Sequence, residues 1–344
     1  MHPFMAVTPT QSSILEADQN MNGKIQDSFS SYESSWFDSS PRNKVLPSED
    51  DVILGKSQKW DPRDLFYAIF MTLVHILCLF APSTFSWSAF RVGLIGYILT
   101  GIFGVTICYH RNLSHRSFKL PKYLEYLFAY FALHAYQGDP IFWVSTHRYH
   151  HKVADTKRDP HSPIFEGMFH AHLAWIYDFN KIVRKGANYN NVRDLTKQPY
   201  YRFLQKTMVY HVYGLGIILY LLGGFPYIVW GLAVRTVWGY HVTFIINSIG
   251  HSWGPQAWDT KDSSRNVWWM SLFTFGDSWH NNHHAFAFSA RHGLEWWQLD
   301  LTWYLIKSLA FLGLATDIKL PTEAHKKKKA FKTDPKDVKM RKDV

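Results

Sequence analysis

Nineteen of the 344 residues are histidine, and nine of them fall in tight groups. His110 and His115 stand in HRNLSH, His147, His150 and His151 in HRYHH, and His280, His283 and His284 in HNNHH, while His251 closes NSIGH. On a helix, positions i, i+3 and i+4 share a face, so each HxxHH offers two or three imidazoles to one point. His110 and His115 are five apart, a spacing that needs a turn or a frayed helix end, and the sequence leaves that open. Imidazole suits zinc, copper, iron and nickel. Structural zinc is satisfied by four ligands, usually with cysteine among them, so nine are too many for one ion. Two ions sharing four or five histidines each is the economical reading. With positions left unfilled, such a pair suits the binding and activation of dioxygen, with iron the redox-active candidate and copper the alternative. Any one histidine is as well explained by surface or capping hydrogen bonds; three clusters and His251 converging are not. The other ten, His2, His75, His134, His161, His170, His172, His211, His241, His292 and His325, read as incidental.

Something must bring these groups together. Four hydrophobic stretches, roughly 65–80, 88–108, 209–224 and 227–250, approach the about 20 residues needed to cross a bilayer. The first two are joined by APSTFSW and the last two by little more than GGFP. Links so short force two antiparallel helical hairpins, because irregular backbone does not persist in lipid. Neither link carries Lys or Arg, whereas 56–64, 111–207 and the C-terminal tail are rich in both, which puts these segments and both termini in the cytosol. The second and fourth spans then exit on the same face, so His110 and His251 meet there and all nine histidines can share one layer outside the bilayer. The fold expected is an all-α integral membrane protein, four transmembrane helices in two hairpins under a cytosolic histidine-rich helical cap. Stretches 123–136 and 299–314 are amphipathic and are expected along the cytosolic interface or on the cap.

Composition agrees with that class. Aromatic residues make up 17% of the chain and charged residues only 19%, unusual for a soluble protein. Two cysteines, Cys78 and Cys108, both in hydrophobic runs, exclude a disulfide framework and a cysteine-based metal cluster. The net charge is +10, and half the excess sits in the tail from Asp317 to Val344, with ten Lys or Arg against five Asp or Glu. No zinc finger, helix-turn-helix or RNA-binding signature accompanies the charge, so nucleic acid is not the expected partner. Residues 1–60, rich in Ser, Asn, Asp and Glu, read as a disordered extension, 61–316 as the membrane domain and 317–344 as a solvated basic cytosolic tail.

The words around the histidines carry a resemblance. GVTICYHRNLSHRSFKLPKYLEY, DPIFWVSTHRYHH, KRDPHSP, FGDSWHNNHHAF, SARHGLEWWQLDLTWY and LGLATDIKLPTE are similar to the membrane fatty acid desaturase and hydroxylase superfamily, and look like its plant stearoyl-CoA-desaturase-like branch, the delta-9-type acyl desaturases. The similarity covers about residues 60–325. It implies that His110, His115, His147, His150, His151, His251, His280, His283 and His284 hold two iron ions, with Asn247 reaching one through water. It also implies a reaction in which dioxygen and two electrons remove two hydrogens from a fatty acyl-CoA or acyl-lipid, the electrons coming from cytochrome b5 and its NADH-dependent reductase. Delta-9 is the family's usual position, with delta-5 and delta-7 as alternatives. The carboxylates Asp155, Asp159 and Asp277 are expected to orient imidazole N–H groups. By the same resemblance the acyl chain bends beside Gln137, Trp143 and Thr243, with Phe244 where the family has Trp, and the tunnel ends on the second span, where Gly93, Leu94 and Tyr97 are expected to gate chain length.

One departure bears on the substrate. The animal acyl-CoA enzymes have Arg-Asp directly before HxxHH and a basic residue after DPH; this chain has Ser145-Thr146 and Ile164-Phe165-Glu166. Without those cationic handles for phosphate, acyl-CoA and acyl-lipid both stay open. No HPGG of a fused cytochrome b5 is present, so the donor is separate, and Arg148, Lys152, Lys157, Arg158, Lys181, Arg184 and Lys185 are expected to dock it. Arg341-Lys342, near the C-terminus, resembles an endoplasmic-reticulum retrieval signal; with the acidic N-terminus it favours that membrane over the plastid alternative. The rival readings are a hydroxylase of the same superfamily and a metal-bearing membrane receptor without oxygen chemistry.

Overall fold

The computed structural model describes residues 62–177, 182 and 189–331. The extension 1–60 and the end of the tail therefore lie outside the described residues. Every regular element described is helical, and the β-bridges Lys119–Thr316 and Asn266–Trp279 are isolated.

Helix α1 (Pro62–Cys78) is followed by α2, Trp87–Ser114, whose first turn is capped by Ser86 accepting from Ala89 N at 3.2 Å. From Leu99 to Ser114 this helix winds as a π-helix, with hydrogen bonds reaching five residues rather than four. At 28 residues α2 is long and apolar enough to cross a membrane. The other such run is Pro199–His251, 53 residues, composed of α5 (Pro199–Ile228), a π segment Val229–Val234, α6 (Arg235–Ser248) and a 3-10 turn Ile249–His251. The run is broken at Gly223 and Gly224, and the φ of +64° at Gly224 is one that glycine adopts without steric cost. Beyond the break the chain doubles back: a Cβ on Gly231 would lie 3.1 Å from Leu219, and one on Gly216 would lie 3.6 Å from Leu232. The GGFP link is thus the hairpin turn expected. Among the described residues two helices qualify by length and composition where the sequence suggested four spans, because the third and fourth stretches are continuous through the turn and α1 is short.

Helix α3 (Lys122–Leu133) lies against the π-helical part of α2. The approach is close: a Cβ on Gly104 would stand 2.5 Å from Ala132 N and 2.6 Å from Ala132 Cα. Helix α4 (Pro140–Val153) starts at Asp139, whose carboxylate accepts from Ile141 N and Phe142 N, with Pro140 in the first turn where its missing N–H costs nothing. Helix α1 and the start of α2 both pack on Val229–Val234, where a Cβ on Gly93 would meet Trp230 O at 2.6 Å. The short α7 (His280–Ala285), α8 (Leu301–Phe311) and α9 (Glu323–Lys329) complete the described chain. Helices α3 and α8 are the two amphipathic stretches: Phe128, Ala129 and Ile306 are buried, while Tyr123, Leu127, Tyr304 and Phe311 are exposed.

The tail carries no buried side chain between residues 317 and 331, yet its backbone is ordered. Lys319 N donates to Ser117 O, Ala290 N to Lys319 O and Asp259 N to Lys329 O, so the chain through α9 is tied to the cap by backbone hydrogen bonds that a charge count does not reveal. The Gly104 contact generates a stability prediction. Gly104→Ala drives a methyl group into the α3 backbone and is expected to cost roughly 1–3 kcal/mol, lowering the thermal midpoint of the detergent-solubilised protein. Gly214→Ala, where a Cβ meets nothing within 4 Å, is expected to leave the midpoint unchanged or higher.

Candidate metal centre

Four segments deliver the nine histidines. The end of α2 carries His110 and leads to His115, α4 carries His147, His150 and His151, the 3-10 turn after α6 ends in His251, and α7 carries His280, His283 and His284. The π-winding accounts for the five-residue spacing: His115 N donates to His110 O at 3.2 Å, and the two rings sit 5.1 Å apart on one side of the helix end.

The nine separate into a five and a four. The ligand atoms of His110, His115, His147, His151 and His283 lie within 4.8 Å of one another, and so do those of His150, His251, His280 and His284. Each HxxHH therefore splits, its histidines serving both groups. Nitrogen faces nitrogen inside both groups: His283 Nε2 is 3.0 Å from His110 Nε2 and 2.9 Å from His151 Nε2, His115 Nε2 is 2.8 Å from His147 Nε2, and His280 Nε2 is 2.9 Å from His251 Nε2. A neutral ring nitrogen carries either one proton or one lone pair, so His283 Nε2 cannot bond both neighbours. Converging lone pairs are the arrangement that cations stabilise.

The outer ring nitrogens fix the tautomers. His110 Nδ1 donates to Asp277 Oδ2 at 2.8 Å, His251 Nδ1 to Asp155 Oδ2 at 2.8 Å, His150 Nδ1 to Asp159 Oδ1 at 3.2 Å and His284 Nδ1 to Asp262 Oδ2 at 2.9 Å. With Nδ1 protonated, Nε2 turns its lone pair inward, as metal-ligating histidines do. Burial, reinforced by neighbouring imidazoles, holds His115, His147, His151, His280, His283 and His284 well below the ordinary imidazole value, so protons do not compete for these nitrogens at neutral pH. His150 goes the other way: burial alone would lower it, but Asp159 beside it raises it. Asp277 is held well below the usual carboxylate range, because burial that would raise it is outweighed by His110 and Arg111. Neutral, pre-oriented, all-nitrogen donor sets of five and four fit two borderline transition-metal ions.

Asp155, Asp159 and Asp277 thus stand where the sequence put them, and Asn247 lines the adjoining cavity one turn before His251. Gln137, Trp143 and Thr243 form one hydrogen-bonded chain on the cavity wall: Trp143 Nε1 donates to Gln137 Oε1 at 3.1 Å, and Gln137 Nε2 to Thr243 Oγ1 at 2.9 Å. Trp143 also stacks on His147, centroids 5.0 Å apart. Tyr97 and Phe244 line the same cavity, but Leu94 does not; it is 45% exposed on the outer side of α2, and Gly93 is spent on the contact with Trp230.

Several functional neighbours escaped the sequence reading. Asp262 gave no signal in its DTKDSS setting. Arg111, wholly buried, joins Asp277 (2.8 Å) to Asp300 (2.9 Å) and so braces His110 from behind, although within HRNLSH it reads as an ordinary base. Asp300 in turn caps α8 and accepts from His292 N. His161 and His292, read as incidental, lie beside the centre, each grouped with a carboxylate and one of the nine. Arg148, expected on a docking surface, instead makes a two-pronged bond to Asp194 and donates to the carbonyls of Leu113 and Ser114 at the end of α2. Ser145 is buried against Asn191, and Lys152, Lys157 and Arg158 are exposed, while Lys181, Arg184 and Lys185 lie outside the described residues. The tautomer argument yields a test: Asp262→Asn is expected to weaken metal retention by about 10–100-fold, read as metal per protein after dialysis against chelator, with insertion in membranes unchanged.

Known proteins agree with the geometry. The sequence model of the family Fatty acid desaturase matches residues 86–315. The chain is 57% identical to the acyl-CoA 5-desaturase of Anemone leveillei over 293 residues, 83% of this chain and 91% of that protein. It is 52% identical to the chloroplastic palmitoyl-monogalactosyldiacylglycerol delta-7 desaturase of Arabidopsis thaliana, over 84% of this chain and 78% of that one. To delta-9 acyl-lipid desaturase 1 of Arabidopsis thaliana the identity is 53%, over 80% and 89%. A match of this extent, spanning all nine histidines, means that the chain belongs to the fatty acid desaturase family.

Proposed function

We propose that this chain is a membrane-bound acyl desaturase that holds two iron ions and introduces a cis double bond into a long-chain fatty acyl-CoA or acyl-lipid, at carbon 9 or at the related positions 5 or 7. The observation that carries the reading is the split of nine imidazoles into a five and a four beside a largely apolar cavity. Iron is favoured over zinc because removing hydrogen from an unactivated chain needs a redox-active metal, and the bound pair would supply the activation of dioxygen. The protein's own residues do the rest. His110, His115, His147, His151 and His283 hold one ion, and His150, His251, His280 and His284 the other, with Asn247 beside it. Asp155, Asp159, Asp262 and Asp277 keep the rings in register. The Trp143–Gln137–Thr243 chain fixes a bend in the wall, so that two adjacent carbons face the centre while the apolar lining excludes water.

The remaining parts of the reading follow the charge and the spans. We place four transmembrane segments as α1, α2, α5 and α6, with 1–60 and the basic tail on the cytosolic side of the endoplasmic-reticulum membrane. Electrons arrive from a separate donor, cytochrome b5 with its NADH-dependent reductase. Helix α9, with Lys326–Lys329 in its last turn, adds positive charge to the cytosolic face such an acidic donor would meet.

The test is fatty-acid profiling of desaturase-deficient yeast expressing the chain, with double bonds located by mass spectrometry and acyl-CoA, phospholipid and galactolipid pools separated. A new monoene in one pool is expected, and its position distinguishes carbons 5, 7 and 9; hydroxylated chains instead would move the protein to the hydroxylase class. His147→Ala and His283→Ala are each expected to abolish the product while the protein still inserts, and purified protein is expected to carry close to two irons that chelation removes together with activity. Retained activity in either variant would defeat the two-ion reading.

A further inference from the structure

The cavity runs along two helices at once, past Val105, Gly101 and Tyr97 on α2 and past Thr243, Thr236 and Arg235 on α6. The end remote from the histidines is walled partly by a loop rather than by α2 alone. Phe275, 8% exposed, presents its ring to Tyr97 with centroids 5.1 Å apart, and Tyr97 Oη donates to Phe273 O at 2.7 Å. The ring fits because residue 101 is glycine; a Cβ there would stand 2.8 Å from Phe275 Cε2. Phe275 also has a φ of +56°, a left-handed conformation uncommon for a bulky residue and one that persists only where the surroundings over-determine it. They do: the Phe275 carbonyl accepts from Thr302 N at 3.0 Å and Thr302 Oγ1 at 2.9 Å, and Thr302 Oγ1 lies 2.9 Å from Thr106 Oγ1 on α2. Two residues on, Asp277 holds His110.

We propose that Phe275, braced by Tyr97, is the stop for the methyl end of the acyl chain, so that the loop 273–277 sets the longest chain accepted. The proposal rests on the acyl-desaturase reading and names the residue that selects among its substrates. The same short backbone carries the stop at Phe275 and the support of His110 at Asp277. The span between reacting carbons and chain end is therefore held by a pinned loop, not by a mobile side chain. Removing the Phe275 ring deepens the cavity without touching the histidines. Its expected effect is selective: a hydrophobic wall discriminates about tenfold or more per methylene, so the ratio of longer to shorter products is expected to rise by at least that much.

The experiment feeds yeast expressing the full chain with saturated acids of graded length and reads the ratio of monoenes made from each. Phe275→Ala is expected to shift the ratio toward longer chains, Phe275→Leu to shift it less, and Tyr97→Phe, which loses the bond to Phe273 O, to broaden it. Phe311→Ala, on the exposed side of α8, is the control and is expected to leave the ratio unaltered. Ratios like those of the unaltered chain in the Phe275 and Tyr97 variants would overturn the stop. Loss of turnover on every length alike would overturn it too, since a stop acts on length alone; because Phe275→Ala alone can fail through misfolding, Phe275→Leu and Tyr97→Phe decide the outcome. A chain that makes no monoene before any substitution would defeat the desaturase reading itself, a separate outcome.

Discussion

Lone pairs that face one another in a buried place repel, and the centre of this protein is made of them. Imidazoles brought nitrogen to nitrogen at 2.8–3.0 Å keep that register only if the rings are held from outside. Most of the cap can be understood as that outer hold. Four aspartates accept hydrogen bonds from Nδ1–H groups, Arg111 ties one of them to Asp300, and Asp300 anchors the start of α8 and the backbone at His292. Losing one member of such a network leaves its partner buried and unpaired, which is costlier than losing a bond at the surface. The cap is therefore built from charged residues in a chain poor in them.

How much of this was legible depended on whether the signal was local. HxxHH on a helix declares its face, so the two clusters and their convergence with His251 could be read directly, and the GGFP link announced a hairpin. The carboxylates next to the motifs, Asp155, Asp159 and Asp277, were likewise close enough in sequence to suggest themselves. Asp262 and Asp300 were not, because nothing in their neighbourhoods marks which acid will meet a ring 22 residues away in His284 or an arginine 189 residues away in Arg111. Arg148 misled for the related reason that a base in a basic segment looks solvated until the helix end it caps is in view. The order of the tail was not legible because backbone hydrogen bonds leave no trace in composition.

The substrate wall shows a third kind of information. Gln137, Trp143 and Thr243 come from the loop before α4, the start of α4 and the middle of α6, and only the fold shows that their side chains form one hydrogen-bonded line. That line gives the cavity a polar hinge within an apolar lining, which can fix a kink without gripping the rest of the chain.

The π-winding of α2 has a consequence beyond the placement of His115. Hydrogen bonds that skip five residues crowd more of the chain into each turn, so a 28-residue segment spans less than the about 42 Å an α-helix of that length would reach. Depth and facing along α2, from His110 back to the cavity-facing Tyr97, therefore cannot be counted at 3.6 residues per turn. Gaining or losing one residue in the part of the π-helix before His110 would rotate the outer half of the helix about its axis while leaving the histidine end seated. Such an indel would act as a dial, presenting a new set of side chains to the acyl chain with the catalytic layer intact.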